Sequence, residues 1–297
     1  MRIAAVVVTR SAPRGIQALS ALAALPRPPE LSIVVDNGGA NQAALRAALP
    51  LARVVVTPRN LGFAGGANAG IEAALREADD AVEALLLVND DAHLAPEALG
   101  LLEQALARPG VGIVGPALLD AADPGRVESI GLSFRRATGR LRELRRRAAW
   151  SAAPPVPVQA VSGCVMLLRR ELLEAVGCFD PGFFFSAEDV DLCLRARAAG
   201  WEVLAVPAAR AWHARGATLG RRAPARLYHA VRGQLRLGGK LGGPGAPLRQ
   251  AATLGWALVH ALRRGREYEP GAARAVLRAG VAHALGRPWR GAPDPGE

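Results

Sequence analysis

Cysteine is scarce in this chain: three residues among 297, with no CxxC spacing. That excludes a disulfide scaffold and a thiolate zinc site. Cys164, Cys178 and Cys193 cannot all pair, and they read as reduced core thiols of a cytoplasmic protein. Long apolar runs are missing too. The best candidate for a span, residues 251–262, has about half the ~20 residues a membrane-crossing helix needs, and it carries His260. Met1-Arg2 leads straight into an apolar stretch at 3–8, so no export signal is expected. No internal repeat is visible. Lysine is nearly absent, Lys240 being the only one.

What remains is a globular composition. With 51% hydrophobic and 21% charged residues, the chain can bury a core and is too apolar to stay disordered. Its length suits one large domain, or one with an appendage. The net charge of +11 is unevenly spread. From Val206 onward there are 16 Lys/Arg against 4 Asp/Glu, so the preceding two-thirds are close to neutral. Any affinity for polyanions therefore belongs to the tail. No RNP-type, zinc-finger or helix-turn-helix signature accompanies that charge, and no nucleic-acid partner is expected.

The first half alternates short apolar runs with helical periods. Strands are expected at 3–8, 31–35, 53–56, 84–88 and 111–114, and helices at 14–25, 43–49, 66–77 and 96–107. Strands separated by such helices give an α/β fold with a mostly parallel sheet and right-handed crossovers. Between Asp120 and Pro157 the pattern loosens. Seven arginines from Arg135 to Arg147, then Pro154-Pro155-Val156-Pro157, read as a mobile cationic excursion. A strand at 159–168, helices at 170–176 and 187–199, and a strand at 201–206 follow. The arginine-rich tail contains helix-like pieces.

Four places carry chemistry. The apolar run Leu85-Leu86-Leu87-Val88 stops on Asn89-Asp90-Asp91. Open α/β sheets bind ligands at the carboxyl ends of their strands, and hard oxygen ligands there suit Mg²⁺ or Mn²⁺ carrying a phosphate. The same residues also suit a turn. Asp36, just past the second strand, can accept hydrogen bonds from a base or ribose, or can start a turn with Asn37-Gly38. Gly62, Gly65, Gly66 and Gly70 allow backbone to approach a ligand closely, with the amides of Asn60 and Asn68 beside them. No Gly-Lys-Ser/Thr follows, so this is not a Walker loop; without GxGxxG after the first strand it is not a dinucleotide fingerprint either. Glu188-Asp189 forms a second acidic centre, and Ser186 with Asp189 also fits a capping box that starts a helix.

Over residues 3–237 these segments, in this order, resemble the family 2 glycosyltransferases, and among them the bacterial rhamnosyltransferase-like group. The resemblance rests on Val34-Val35-Asp36-Asn37-Gly38, on the glycine-rich segment from Asn60 to Gly70, on Asn89-Asp90-Asp91, and on the block from Val161 to His213. Within that block, Gly177-Cys178-Phe179-Asp180 and the run from Ala187 to Arg195 look most like the family. It implies a GT-A, Rossmann-like fold and transfer of a sugar from a nucleotide diphosphate to an acceptor hydroxyl. It implies a catalytic domain over 1–215, with a nucleotide-sugar half at 1–115 and an acceptor half at 116–215. Residues 216–297 then form a basic, mostly helical extension. The family's Asp-X-Asp motif maps onto Asn89-Asp90-Asp91, so Asp91 is the metal ligand, Asp90 sits near the ribose or a metal-bound water, and His213 completes the metal shell. The nucleotide-sugar side comprises Thr9, Asp36, Asn60, Gly62, Gly66, Asn68, Asn89 and Asp90. Asp189 matches the catalytic base and Glu188 orients the acceptor, giving a single inverting displacement. The sequence departs from the family at Thr9-Arg10, at Gly39, at Cys178 and at Ala214-Arg215.

Arginines at 221, 222, 226, 232 and 236, with Lys240, interleave with Leu227, Tyr228, Leu235 and Leu237. This segment either docks on anionic lipid at the inner face of the cell membrane, suiting a lipid-linked acceptor, or packs on the catalytic domain. A nucleotidyltransferase and a non-catalytic sugar-nucleotide or glycan-binding scaffold are the rival functions. The first donor to consider is dTDP-rhamnose, ahead of UDP- and GDP-sugars.

Overall fold

The computed structural model describes residues 1–77, 81–145, 153–214, 223–263, 269–287 and 289. Arg146, Arg147, Arg215, Arg221 and Arg222 lie outside the described residues. The elements run β1 (Ile3–Thr9), α1 (Ala12–Ala23), β2 (Leu31–Asn37), α2 (Gln42–Ala48), β3 (Arg53–Thr57), α3 (Gly62–Glu77), β4 (Ala84–Asn89), β5 (Ala92–Leu94) and α4 (Ala98–Leu106). They continue with β6 (Val111–Asp120), β7 (Asp123–Ser129), β8 (Leu132–Arg135), β9 (Arg140–Glu143), β10 (Val156–Pro157), β11 (Val165–Arg169), α5 (Arg170–Val176), α6 (Glu188–Ala198) and β12 (Glu202–His213). Three helices close the chain: α7 (Pro224–Lys240), α8 (Ala246–Arg263) and α9 (Ala272–Ala284).

One large, mostly parallel sheet has the strand order β10-β12-β6-β11-β4-β1-β2-β3, with β5 on β12 and β7 on β6. Strands β3, β2, β1 and β4 run parallel, as do β6 and β12, while β11 is inserted antiparallel between β4 and β6. The pleat sends alternate residues of one strand to two cores. Ala5, Val7, Leu86 and Val88 face α1 and α4, while Ala4, Val6, Leu85 and Leu87 face α3 and α6. Covered on both faces, such strands must be continuous apolar runs.

Several expectations are corrected. Helix α3 starts at Gly62, so the glycine-rich segment is the first turns of a helix rather than a free loop. The described part of the cationic excursion forms strands: β7 joins the main sheet, and β8–β9 form a hairpin whose Leu132, Phe134 and Leu141 pack inward against the second core. Arginines at the outward positions hid that alternation. The strand expected at 159–168 is reduced to Val165–Arg169, because the N–H of Gly163 is used by the Asp189 carboxylate instead of a ladder. The capping box is absent. Ala187 is the N-cap, with no side-chain cap bond, and Ser186 and Ala187 are both left-handed at φ 70° and 73°.

The segment around Arg232 and Arg236 is no free amphipathic face. Helix α7 buries Val231, Arg232, Leu235 and Leu237 between the catalytic body and α8–α9. Among the described residues, no helix is long and apolar enough to cross a membrane.

Candidate active site

The carboxyl ends of β1 and β4 open into a cavity of about 760 Å³ that is also lined by residues 184–190 and by α7 and α8. This is the crevice position at which open α/β sheets bind ligands. Asn89 ends β4, and its N–H donates to the Cys164 carbonyl at 2.9 Å, which fixes the start of the carboxylate turn. Asp90 is nearly enclosed. Thr9 Oγ1 donates to its Oδ2 at 2.6 Å, and Arg14 Nε lies 3.3 Å away. Burial raises its pKa, and Thr9 and Arg14 only partly offset that.

Asp91 and His213 meet through strand register. The pairing of β5 with β12 sets His213 opposite Ala92, and the N–H of Ala214 donates to the Asp91 carbonyl at 2.9 Å. His213 Nε2 then lies 3.3 Å from Asp91 Oδ1. On its other side, His213 Nδ1 lies 3.6 Å from Glu128 Oε2, a carboxylate carried by β7. Burial opposes charge on this imidazole, yet the Cys164 sulfur and the Asp91 and Glu128 carboxylates override it and push its pKa up to about 12. Buried Nδ1 has no hydrogen-bond partner.

This donor set fits a hard divalent cation. Among the described residues no three His, Cys, Asp or Glu side chains form a ready cage. A carboxylate and an imidazole nevertheless leave room for the phosphate and water oxygens that Mg²⁺ and Mn²⁺ retain. Glu128 lies on the Nδ1 side of this imidazole, just beyond hydrogen-bond distance.

On the same cavity, Asp189 Oδ2 accepts from the N–H of Gly163 and Oδ1 from the N–H of Val190, each at 2.8 Å. Burial raises its pKa against these bonds. Burial, and then the adjacent Asp189 charge, push Glu188 upward as well, and its buried Oε2 has no partner. Two like charges so close share ionisation unequally. The pair is presented by the strained backbone at Ser186 and Ala187, a conformation that persists only when its surroundings enforce it. Two glycines do so. A Cβ on Gly62 (φ 73°) would lie 2.2 Å from the Phe184 carbonyl oxygen, and one on Gly233 of α7 would lie 2.1 Å from that of Ser186. The loop at 184–187 is therefore clamped between α3 and α7.

Of the residues singled out from sequence, Thr9, Asn60, Gly62, Asn89, Asp90, Asp91, Glu188, Asp189 and His213 line this one cavity. Asp36, Gly66 and Asn68 do not. Both Asp36 oxygens accept from Asn41, at 2.7 and 3.1 Å. Gly66 lets α3 approach the sheet, since a Cβ there would lie 2.7 Å from Val8 Cγ1. The Asn68 amide is spent at both ends on the backbone of Phe179, at 2.8 and 3.0 Å. Sequence reading missed Glu128, Arg142, Arg145, Arg226 and Trp256; the last four line the cavity. Only the arginine clusters gave any signal, and that was taken for surface charge.

The mostly parallel sheet, with a carboxylate turn and a buried carboxylate pair lining one cavity, has the architecture of the GT-A glycosyltransferases. The chain matches the family model described as glycosyltransferase like family 2 over residues 2–227, and it belongs to that family. It is 30% identical over 223 residues to the N-acetylglucosaminyl-diphospho-decaprenol L-rhamnosyltransferase of Mycobacterium tuberculosis, covering 68% of this chain and 72% of that one. The galactofuranosyltransferase GlfT1 of the same organism is 32% identical over 197 residues, covering 63% and 62%. The fold is shared with the mannosyltransferase PcManGT of Pyrobaculum calidifontis, solved with GDP-Man and Mn²⁺. The TM-score is 0.61 at 18% identity, over 96% of this chain and 88% of that one.

Proposed function

We propose that this transferase moves rhamnose from dTDP-rhamnose to a hydroxyl of a lipid-linked saccharide, in one inverting, metal-assisted displacement. The observation that carries the reading is that Asp91 and Asp189 line one cavity. Asp91 and His213 would hold Mg²⁺ or Mn²⁺, which neutralises charge on the departing diphosphate. Thr9, Asn60 and the turn at 89–90 supply the nucleotide side. Asp36, Gly66 and Asn68 support it from behind, through the turn after β2, the packing of α3 and the anchored Phe179 loop. Asp189 takes the acceptor proton as the new oxygen–carbon bond forms and the bond from sugar to phosphate breaks. Its two backbone N–H bonds fix the carboxylate for that task, and its raised pKa makes it a better base. Glu188, held largely protonated beside it, offers a hydrogen bond that orients the acceptor. Residues 1–115 and 116–215 then act as donor and acceptor halves, with the C-terminal helices closing the acceptor wall.

The rhamnosyltransferase relative supports this choice of donor and acceptor. The test is a thermal-shift screen of dTDP, UDP and GDP with and without Mn²⁺. A ligand present at about 100 times its Kd stabilises the folded state by about 2.7 kcal/mol. We expect the largest shift with dTDP plus Mn²⁺. A larger shift with UDP or GDP would reassign the donor, and a shift independent of metal would remove the metal.

A further inference from the structure

Beside the active-site cavity lies a second one, of about 510 Å³, between the β8–β9 hairpin and α8. The hairpin tip sits directly on the helix: a Cβ on Gly139 would lie 2.5 Å from Thr253 Oγ1. Arg135, Arg140 and Arg142 line this cavity, and no Asp or Glu does. Among the described residues, none of the three guanidiniums has a carboxylate partner. Arg140 lies over the Trp256 ring, with Cζ 4.9 Å from its centroid, and its buried Nε has no hydrogen-bond acceptor. Thr138 Oγ1, on the same wall, is also buried without a partner. Gathered cations with an unmet buried donor repel one another and are under-satisfied until an anion arrives. Guanidiniums match phosphate oxygens in a fork geometry that lysine lacks.

Arg142, Gln234 and Trp256 line both cavities, so an anion held here lies on a route continuous with Asp189. None of the residues assigned to the donor lines the second cavity, which separates it from the donor diphosphate. Trp256 also belongs to an apolar stripe along α8. Leu248, Trp256, Val259 and Leu262 fall on one helical face, 74%, 41%, 46% and 64% exposed. From residue 203 to residue 266 the chain has no Asp or Glu at all. An anionic head beside an apolar runway describes an amphiphile.

We infer that this arginine-lined cavity binds the diphosphate of a lipid-diphosphate acceptor, with its hydrocarbon chain along the α8 stripe. The inference deepens the acceptor side of the proposed function and rests on that reading. Isothermal titration of the full chain with farnesyl diphosphate, inorganic pyrophosphate and farnesol tests it. Farnesyl diphosphate should bind at least about tenfold more tightly than either part alone, and dTDP should not displace it. Arg135→Gln and Arg140→Gln should each weaken it by about tenfold, the loss of a charge-assisted hydrogen bond. Arg140→Lys should weaken it less. The paired change Leu248→Ser, Val259→Ser should reduce farnesyl diphosphate to the level of pyrophosphate and leave pyrophosphate unchanged. These surface positions can be changed without touching the core. Equal affinity of the arginine variants, or displacement by dTDP, overturns the site, and equal affinity for pyrophosphate and farnesyl diphosphate overturns the lipid. If no nucleotide stabilises the chain while the arginine effects hold, the transfer reading fails and the anion site stands.

Discussion

The parallel strands at the centre of the sheet and the C-terminal helices are built on opposite plans. Strands β1, β2 and β4 are valine, isoleucine and leucine runs buried on both faces, so their positions need no polar contact to hold them. The core that α7, α8 and α9 share is mostly alanine and valine: Ala257, Ala261, Ala272, Val276 and Ala279. At about 0.8 kcal/mol per buried CH₂, such a core gives far less than leucine would. Charge makes up part of the difference. Arg236 and Lys240 reach Asp180 at 2.9 and 2.7 Å, and Lys240 also reaches Asp191 at 2.7 Å. The single lysine of the chain thus ties α7 to two acidic residues of the catalytic body. One half is a frame that fixes strand ends; the other is a wall held by contacts that respond to solvent.

Predictions can break this contrast, beginning where the frame meets chemistry. Asp189→Asn should lower kcat by about 10²–10⁴-fold, the usual worth of a positioned base, while the thermal shift with dTDP and Mn²⁺ is retained. Turnover at the normal rate would move the base elsewhere. Glu128→Gln should weaken Mn²⁺ binding by about 10–100-fold in a titration with dTDP present, because His213 loses the carboxylate charge beside its ring. Unchanged metal affinity would make Glu128 a mere neighbour.

A smaller effect lies in pH. Glu188 has a raised pKa, about 8, so its contribution to stability is full below the ordinary carboxylate range and is lost as pH rises through that value. Melting curves should show Glu188→Gln gaining on the unsubstituted chain from about pH 5 to pH 8. A constant difference across that range would remove the buried charge pair. The smallest effect belongs to the wall. Lys240→Met should cost about 1 kcal/mol or less in urea unfolding, because the ammonium is partly solvated. Burial works to raise the Asp180 pKa, but Lys240, the Gly182 N–H and Arg236 hold it down to about 2. The Lys240 contribution should therefore persist at neutral pH and fade as pH falls toward 2. A loss as large as a core truncation would show that the tie carries the whole wall.

Much of this was legible in the residues. The alternating strands and helices, and the carboxylates closing β4, follow from apolar period and from charge at strand ends. Nine of the twelve site candidates share one cavity for that reason. Asn68 and Gly66 lie off the cavity lining: an amide or a glycine serves packing as readily as binding, and the sequence does not say which backbone lies nearby. Asp36 likewise lies off the lining, its oxygens accepting from Asn41. Glu128 was invisible, because its role depends on β7 folding back onto β6 and on the register of β12.

Local chemistry along the chain determined the type of fold, the order of its elements and the identity of the acidic groups, since side-chain period and hydrogen-bonding capacity are properties of short segments. Only the folded molecule decided which groups share a cavity, which glycines are forced by a facing carbonyl, and where α8 leaves its apolar stripe. Those outcomes depend on contacts between residues far apart in the chain, and strand register and helix docking, not composition, set such distances.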